Sequence, residues 1–431
     1  MVIKFFIIVL FLFLSSCFIG PVKELKQQIE DEWDNENIPI NPTPLSEKIP
    51  TLDHKTLWSN NFKGMIEMNI DFAVCKDSIF IAHNNNKIIS IDQNNGESNF
   101  ELTIDENIAA GISCETDKLF FTTKDGFLWA LNNDGSLIWK YFVGQVMSRP
   151  LIVDSSIIIK TINHQIISLN KDNGLINWNY QPPNPPLLIK SWGGLVYSDG
   201  IVYSGLPAGK ILALDFFSGS LIWETTYSQP QGTTSIDRAN DTTSTPVIDS
   251  PFIFIGSSKG NFASIDKETG AIIWQRPLSS FYDASIYDEF LIVPHISGSI
   301  YAIFKDSSKI AWRNSDFINR DTKQIKFYKN KIIVGDYDGF IHFVDIHSGK
   351  TLYRLSVSDT SIIKYKQIND AILIVDKYAS VKLIKVLDDE FQNSYKQQNN
   401  IYQEEKADPV IEQEKQTKSE NSLIDELFFW E

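Results

Sequence analysis

Apolar and polar positions along this chain recur in blocks of about forty residues. In each block an apolar run leads into a turn containing Asp, Asn or Gly, and a second short run then ends in an aromatic residue. The clearest copies are Leu128–Trp139 (LWALNNDGSLIW), Ile211–Trp223 (ILALDFFSGSLIW) and Phe262–Trp274 (FASIDKETGAIIW). Glycine supplies positive φ in such turns, and an Asp or Asn side chain closes them. A repeat of this length predicts a stacked array of similar units.

Each block has room for about four short strands. Phe262–Trp274 is preceded by a predicted strand in Phe252–Gly260, and that by another in Ser244–Phe252, with no helical periodicity between them. A four-stranded unit of this size with two apolar faces must stack on its neighbours, and it is the blade of a β-propeller. The sequence therefore predicts an all-β fold built from four-stranded antiparallel blades.

The number of blades follows from the aromatic residues that end the blocks. There are eight of them: Trp58, Phe100, Trp139, Trp178, Trp223, Trp274, Trp312 and Tyr353. No strands of its own block precede Trp58, whereas Ala371–Val386 has inner strands but no aromatic-ended strand. We therefore predict an eight-bladed propeller over residues 55–386, with the N-terminal strand completing the last blade and closing the ring. Seven blades is the alternative, if the weak blocks ending at Phe100 or Trp312 merge with their neighbours.

The N-terminus carries a targeting signal. Lys4 precedes the apolar run Phe5–Leu14, which is too short for a stable membrane-spanning helix and has the length of a signal-peptide core. The following Leu14–Cys17 (LSSC) resembles the lipobox of bacterial lipoproteins. This implies a signal peptide at 1–16, acylation of Cys17, and attachment to a membrane through the lipid. The alternative is an ordinary signal peptide with an incidental cysteine. Phe18, rather than Asp, favours the outer membrane.

Charged segments flank the predicted propeller. Residues 17–54 are rich in proline and charge and predict a flexible tether. Residues 387–431 hold twelve Asp and Glu against four Lys, out of a formal net charge of −15 for the whole chain. This acidic tail predicts disorder, and the acidic balance argues against a nucleic-acid partner. Its apolar end, Ser422–Glu431, is either a loose end or a short motif that binds a partner or the propeller.

Two cysteines remain after Cys17. Cys75 and Cys114 are 39 residues apart and so fall at equivalent places in neighbouring blades. A disulfide is possible in an oxidising compartment, but equivalent sites in adjacent blades are often too far apart for its geometry. We predict two separate buried thiols.

Catalytic patterns are weak in this sequence. The six histidines are scattered, no two cysteines are adjacent, and no metal-ligand spacing is found. Gly256–Gly260 formally fits Gly-x-Ser-x-Gly, but a nucleophile elbow needs a strand-to-helix turn, and here we predict a hairpin turn. We expect no enzymatic activity, no cofactor and no metal site.

The aromatic-ended repeat resembles that of the pyrroloquinoline-quinone-type eight-bladed propellers. Two families share it: the quinoprotein alcohol dehydrogenases, and the BamB family of lipoproteins in the outer-membrane β-barrel assembly machinery (the BAM complex). Gln231–Asp249 looks like a stretch characteristic of BamB, with Ile236-Asp237-Arg238, then Asp241, then Thr245-Pro246-Val247. This stretch, together with the lipobox, favours the BamB family.

Membership of that family implies a non-catalytic scaffold, lipid-anchored at the periplasmic face of the outer membrane. It implies as partners the periplasmic domains of a BamA-type barrel protein, other BAM subunits and unfolded outer-membrane proteins. The alternative function is a periplasmic quinoprotein or small-ligand-binding propeller that uses the central funnel and holds a cofactor with calcium.

The resemblance also implies a docking site for BamA. Leu187, Ile189 and Lys190 match an apolar-x-apolar-basic string, although Lys190 replaces an arginine and so loses the bidentate fork. Asp241 matches the first acidic position of a second loop, where Thr243 replaces a second acidic residue.

The residues alone are compatible with that site. The Pro-rich segment Gln181–Ile189 predicts a stiff exposed loop, and exposed apolar residues beside a charge suit a partner site. The alternative is that these residues tuck onto the blade. Asp237 and Arg238 are predicted to form ion pairs that organise the loop displaying Asp241.

Overall fold

The computed structural model describes residues 41–62, 64–66, 72–83, 86–146, 148–183, 193–229, 242–322 and 324–387. Within these ranges the chain forms thirty-two strands and no helix. The strands make eight four-stranded antiparallel sheets, the blades of an eight-bladed β-propeller. The predicted fold is confirmed, and the seven-bladed alternative is wrong. In the same ranges there is no helix long and apolar enough to cross a bilayer.

The first strand of the chain, β1 (His54–Asn61), belongs to the last blade, and the strands after it form the blades in chain order. Blade 1 contains β2 (Phe72–Cys75), β3 (Ser78–His83), β4 (Lys87–Asp92) and β5 (Ser98–Thr103). Blade 2 contains β6 (Ser113–Glu115), β7 (Lys118–Thr122), β8 (Phe127–Asn132) and β9 (Leu137–Phe142). Blade 3 contains β10 (Leu151–Val153), β11 (Ser156–Lys160), β12 (Ile166–Asn170) and β13 (Ile176–Tyr180). Blade 4 contains β14 (Leu195–Ser198), β15 (Ile201–Leu206), β16 (Lys210–Asp215) and β17 (Leu221–Thr226).

The second half of the ring repeats this meander. Blade 5 contains β18 (Val247–Asp249), β19 (Phe252–Gly256), β20 (Asn261–Asp266) and β21 (Ile272–Pro277). Blade 6 contains β22 (Ser285–Tyr287), β23 (Phe290–Pro294), β24 (Ile300–Phe304) and β25 (Ile310–Asn314). Blade 7 contains β26 (Lys326–Tyr328), β27 (Lys331–Gly335), β28 (Phe340–Asp345) and β29 (Thr351–Ser356). Blade 8 contains β30 (Ile362–Ile368), β31 (Ala371–Asp376) and β32 (Ser380–Val386), with β1 as its fourth strand. Gly256–Gly260 joins β19 to β20, so the predicted hairpin turn is confirmed.

The core lies between the blades. The first strands of successive blades lie next to each other around the axis, so the fourth strands form the outer edges. The two middle strands of a blade are apolar on both faces, because each face packs on a neighbouring blade. In β11, for example, Ile157, Ile158 and Ile159 are all fully buried. The apolar clusters accordingly join consecutive blades around the ring.

The turn and the aromatic residue of the repeat are the two halves of one contact between blades. Trp178 of blade 3 donates its indole N–H to the carbonyl of Phe216 in blade 4, at 2.8 Å. Its ring covers Gly219, where an added Cβ would lie 2.5 Å from the indole and where φ is +71°. Only glycine fits such a position without strain. The same pairing recurs at Trp58–Gly96, Phe100–Gly135, Trp139–Gly174, Trp223–Gly270 and Trp312–Gly349.

The ring is closed by the N-terminal strand, as predicted. β1 pairs antiparallel with β32 along its whole length, from His54 opposite Val386 to Asn61 opposite Ser380. Trp58 on β1 then makes the interblade contact onto blade 1, because its indole N–H donates to the carbonyl of Gln93 at 2.8 Å. One apolar cluster contains Trp58 together with residues of blades 8, 1 and 2.

Residues 43–53, which precede β1, form a strap along the outside of blade 7. Thr51 makes a parallel bridge to Arg354 on β29, and the Leu52 N–H donates to the Arg354 carbonyl at 2.8 Å. Further back, the Thr43 N–H donates to the carbonyl of Ile318, in the connection from blade 6 to blade 7. Part of the segment predicted as tether is therefore held on the propeller.

A buried ionic cluster holds the far end of the strap. The guanidinium of Arg320, 2% exposed, donates to Asp336 Oδ2 at 2.6 and 3.1 Å and to Asp338 Oδ2 at 2.6 Å. Asp336 is fully buried and also contacts His342 Nε2 at 2.9 Å. Arg320 Nη1 donates to the Thr43 carbonyl at 3.0 Å. The cluster thus links blade 7 to the start of the strap.

The prediction of two free thiols is wrong, because Cys75 and Cys114 form a disulfide. Cys75 ends β2 and Cys114 lies in β6, so both are on first strands. Blades splay apart with distance from the axis, and first strands are where equivalent positions of neighbouring blades come closest. The two Cα atoms are 6.2 Å apart, within the range that a disulfide spans.

Removing this disulfide should destabilise the propeller. A cross-link closing a loop of 39 residues is worth about 3–4 kcal/mol on the chain-entropy model. We expect the Cys75→Ala, Cys114→Ala variant to unfold at a lower urea concentration by an amount equivalent to about 2–4 kcal/mol. Wild type measured with and without reductant is the control, because reduction should reproduce most of the loss. Equal urea midpoints for the variant and the oxidised wild type would contradict the prediction.

Candidate docking site on blades 3 and 4

The residues predicted to bind a partner lie on two loops that fall outside the described residues. Loop A, residues 184–192, contains Leu187, Ile189 and Lys190, and loop B, residues 230–241, contains Asp237, Arg238 and Asp241. The lipidation site Cys17 is also outside the described part. The roles of these seven residues, including the ion pairs of Asp237 and Arg238, therefore stay predictions.

The described ends of the two loops lie together. Gly193 directly follows loop A. The N–H of the next residue, Gly194, donates to Thr245 Oγ1, just beyond loop B, at 2.9 Å. Backbone contact there is close, because a Cβ on Gly193 would come 2.7 Å from the Ser244 carbonyl. The fold therefore brings together two loops that are about fifty residues apart in sequence.

The residue that follows Asp241 is fixed to blade 4. Thr242 is buried, its N–H donates to the Leu206 carbonyl at 3.3 Å, and its hydroxyl donates to the Lys210 carbonyl at 3.0 Å. The Tyr227 hydroxyl, also buried, lies 2.8 Å from Thr242 Oγ1. The described chain that follows loop B therefore begins against the turn that joins β15 to β16.

A cavity of about 290 Å³ opens beside that turn, between blades 3 and 4. Its walls are mostly apolar, and one ion pair and one imidazole add polar groups. The lining residues are His164, Pro182, Pro183, Leu206, Pro207, Ala208, Lys210 and Glu224. Pro183 directly precedes loop A, and Leu206 and Lys210 hold the end of loop B. The cavity thus lies between the bases of both predicted docking loops.

His164 supplies the imidazole. It occupies the turn between β11 and β12 with a left-handed φ of 60°, which histidine tolerates better than most residues. Its backbone N–H donates to the Thr161 carbonyl at 2.9 Å. The side chain is 3% exposed, and neither ring nitrogen has a hydrogen-bonding partner among the described residues. Burial, reinforced by the charge of Lys160, lowers the pKa of His164 to about 4. The ring is therefore neutral near pH 7.

The charged groups around the cavity are few. Lys210 Nζ and Glu224 Oε1 form an ion pair at 2.7 Å on the rim, where both side chains are partly exposed. Lys160 is buried at the end of β11 and donates to the Gly205 carbonyl of blade 4 at 3.3 Å. Burial lowers the pKa of Lys160 to about 8. The lining residues are therefore close to neutral in sum, but Lys160, which does not line the cavity, is mostly protonated at pH 7 and its charge acts on His164.

Sequence reasoning did not find this cavity. His164 has no motif around it, and its importance comes from contacts between two blades. Lys160 does give a signal, since it ends the apolar strand SIIIK where the equivalent residues of other blades include Gly205 and Gly256. Four of the histidines, His83, His164, His295 and His342, are buried. The described ranges contain no group of three or more His, Cys, Asp or Glu side chains that could hold a metal ion.

Comparison with known proteins identifies the family. A family model described as outer membrane protein assembly factor BamB matches residues 48–143 and 84–314. Together these matches cover more than half of the chain. The chain belongs to the BamB family. The matched region takes in blades 1 to 6 and both predicted docking loops.

Two curated relatives carry the name outer membrane protein assembly factor BamB. The protein of Burkholderia pseudomallei is 26% identical over 324 residues, which cover 74% of this chain and 85% of the relative. The protein of Shewanella oneidensis is 30% identical over 257 residues, covering 59% of this chain and 65% of the relative. The similarity to the BamB relative from Burkholderia therefore extends over most of both proteins.

Solved structures show the same fold. BamB from Moraxella catarrhalis superposes with a TM-score of 0.70 at 20% identity, covering 77% of this chain and all of that one. A quinohemoprotein alcohol dehydrogenase from Comamonas testosteroni gives a TM-score of 0.63 at 12% identity, covering 80% and 78% of the two chains. At such identities the likeness concerns the fold alone, and the family match is what separates BamB from the dehydrogenases.

Proposed function

We propose that this chain is a non-catalytic scaffold of the outer-membrane β-barrel assembly machinery. Acyl chains on Cys17 would hold it at the periplasmic face of the outer membrane, where it binds the periplasmic domains of a BamA-type barrel protein and helps to insert outer-membrane proteins. Membership of the BamB family and the names of its relatives support this role. The disulfide between Cys75 and Cys114 supports an oxidising compartment such as the periplasm.

The observation that carries the proposal is that the described residues following the two predicted docking loops lie together. Leu187 and Ile189 would bury apolar surface against BamA, and Lys190 and Asp241 would give the contact charge complementarity. Asp237 and Arg238 would hold loop B in place. Support comes from the hydrogen bond between Gly194, at the start of blade 4, and Thr245, at the start of blade 5, which ties together the described residues that follow the two loops.

Affinity purification tests the role. The tagged chain is isolated from detergent-solubilised membranes, and the proteins that co-elute are identified. We expect a BamA-type barrel protein and other BAM subunits, and a colourless preparation with no cofactor. A chain that elutes without a barrel protein, or with a coloured quinone and bound calcium, would refute the scaffold and support the quinoprotein alternative.

A double charge reversal tests the docking loops. In Lys190→Glu with Asp241→Lys, both proposed charge contacts become repulsive, which should weaken BamA binding by about tenfold or more. Binding of the purified chain to detergent-solubilised BamA is measured by biolayer interferometry. The matched control swaps Lys87 and Glu101, an exposed ion pair at 3.0 Å on blade 1, and should bind as wild type does. Equal affinities for both swapped variants would place the contact elsewhere.

A further inference from the structure

The cavity between blades 3 and 4 contains a buried polar group without a partner. His164 is 3% exposed, it lines the cavity, and both of its ring nitrogens lack hydrogen-bond partners in the described part of the chain. A buried donor or acceptor left unsatisfied is unfavourable, because it has lost its hydrogen bonds to water and has gained none in the protein. A group that bears this cost in a cavity is suited to a ligand that supplies the missing bond.

The shape and lining of the cavity restrict that ligand. Its volume of about 290 Å³ lies at the small end of ligand pockets, which begin at roughly 300 Å³. Pro182, Pro183 and Pro207 provide rigid apolar walls that lose little entropy on binding. The cavity is therefore suited to a single side chain with an apolar body.

The charges restrict the end group of that side chain. Lys210 and Glu224 neutralise each other on the rim. Deeper in, the hydrogen-bonding group is the neutral imidazole of His164, which can donate through one nitrogen and accept through the other. The charge of Lys160, which acts on His164, is opposed by that of Asp283. A charged end group would therefore add an uncompensated charge, whereas a hydroxyl or carboxamide needs only one hydrogen bond.

The occupant is given by the position of the cavity. Pro183 leads directly into loop A, and Thr242, at the end of loop B, is bonded to the walls at Leu206 and Lys210. A protein that docks on both loops must cover the opening between them. We propose that the cavity receives one side chain of the docked BamA-type protein, with its apolar body against the prolines and its uncharged hydroxyl or carboxamide end hydrogen-bonded to His164. This inference rests on the proposed function.

His164→Phe tests the hydrogen bond, because phenylalanine keeps an aromatic ring of similar size without the nitrogens. Losing a neutral hydrogen bond should weaken binding to detergent-solubilised BamA by about three- to tenfold. His295→Phe is the matched control. His295 is also buried, but its Nδ1 is bonded to Ser297 Oγ at 2.8 Å within blade 6, so its loss should leave BamA binding unchanged.

His164→Asn covers the case in which His164→Phe folds poorly. Asparagine tolerates the left-handed backbone at this position, and its shorter amide cannot reach as far into the cavity. We expect a similar loss of affinity, again about three- to tenfold. Circular dichroism and thermal melting of each variant establish that it is folded before its binding is compared.

Nuclear magnetic resonance can follow the His164 ring in the wild-type chain as it binds BamA. The chain has six histidines, so protein labelled with ¹⁵N-histidine gives few ring signals. The signal lost in His164→Asn assigns His164. Adding BamA should move the ¹⁵N shifts of His164 as a hydrogen bond forms, and leave those of His295 in place.

The outcomes separate the two proposals. Wild-type chain that fails to bind BamA overturns the proposed function and this inference with it. Wild-type binding that survives both His164 substitutions, with unchanged ring shifts, overturns the inference alone. Weaker binding by the His164 variants, normal binding by His295→Phe and a shifted His164 signal support it.

Discussion

Replacing Arg320 with methionine should lower the free energy of unfolding of the propeller by about 3–5 kcal/mol. The substitution keeps much of the side-chain volume but leaves the carboxylate of Asp336, which is fully buried, without the guanidinium that donates two hydrogen bonds to it. It also removes the hydrogen bond to the Thr43 carbonyl, so the strap loses its far attachment. Urea denaturation followed by tryptophan fluorescence measures the loss.

The control for Arg320 is an ion pair in water. Lys87 and Glu101 on blade 1 lie 3.0 Å apart with side chains 36% and 44% exposed. Such surface pairs contribute about 0–1 kcal/mol, so Lys87→Met should hardly change the urea midpoint. If Arg320→Met and Lys87→Met were equally stable, the buried cluster would have no special role in holding blade 7 and the strap.

The deficit of Arg320→Met should depend on pH. Burial alone would raise the pKa of Asp336, but the hydrogen bond and charge of His342 and the hydrogen bonding of Arg320 lower it below its ordinary 3.8. A lowered carboxyl pKa contributes stability that is present above the ordinary value and is lost as the pH falls through the lowered one. Protonated Asp336 needs no cation. The gap between wild type and variant should therefore narrow below about pH 4.

Truncating Trp58 to alanine should destabilise the propeller by about 3–5 kcal/mol, the range for a large buried aromatic residue. Trp58 is 7% exposed, covers Gly96 and donates its indole N–H to the Gln93 carbonyl. Through these contacts the indole joins blade 8, which β1 completes, to blade 1. The expected result is a lower urea midpoint together with faster proteolysis of blade 8, because the ring opens there.

The neighbouring residue on the same strand provides the control for Trp58. Leu57 is 45% exposed and belongs to neither of the apolar clusters that blade 8 forms with its neighbours. Exposed substitutions usually change stability by less than about 0.5 kcal/mol, so Leu57→Ala should behave like wild type. Equal losses for the two variants would show that the pairing of β1 with β32 closes the ring, with no special contribution from the indole.

Much of the fold could be predicted because it depends on local pattern. The turn glycine and the terminal aromatic residue recur in most blocks, and together they form the interface between blades, as Trp178 and Gly219 show. The number of blades and the closure by β1 follow from counting such aromatic residues. Repeat proteins are suited to this reasoning because each unit contacts only its neighbours.

The features that could not be predicted depend on distance in three dimensions. The Cys75–Cys114 prediction was wrong because sequence spacing gives the equivalent position in the next blade but not the distance from the axis. Arg320 lies in a connection between blades and meets Thr43, which is 277 residues away. His164 matters through a cavity whose walls come from two blades. No local pattern around these residues contains such contacts.

The strap also determines where on the propeller the chain that leads to the proposed lipid anchor begins. In a ring of eight, the junction of blades 3 and 4 faces that of blades 7 and 8, and the strap runs along blade 7, from Thr43 at the junction with blade 6. Cys17 lies twenty-six residues before Thr43, a chain length that can reach about 90 Å at most. The chain toward the proposed lipid anchor thus leaves the ring near the junction of blades 6 and 7, about three blades from the junction of blades 3 and 4. The strap therefore keeps the start of the lipid tether, at Thr43, away from the proposed docking site.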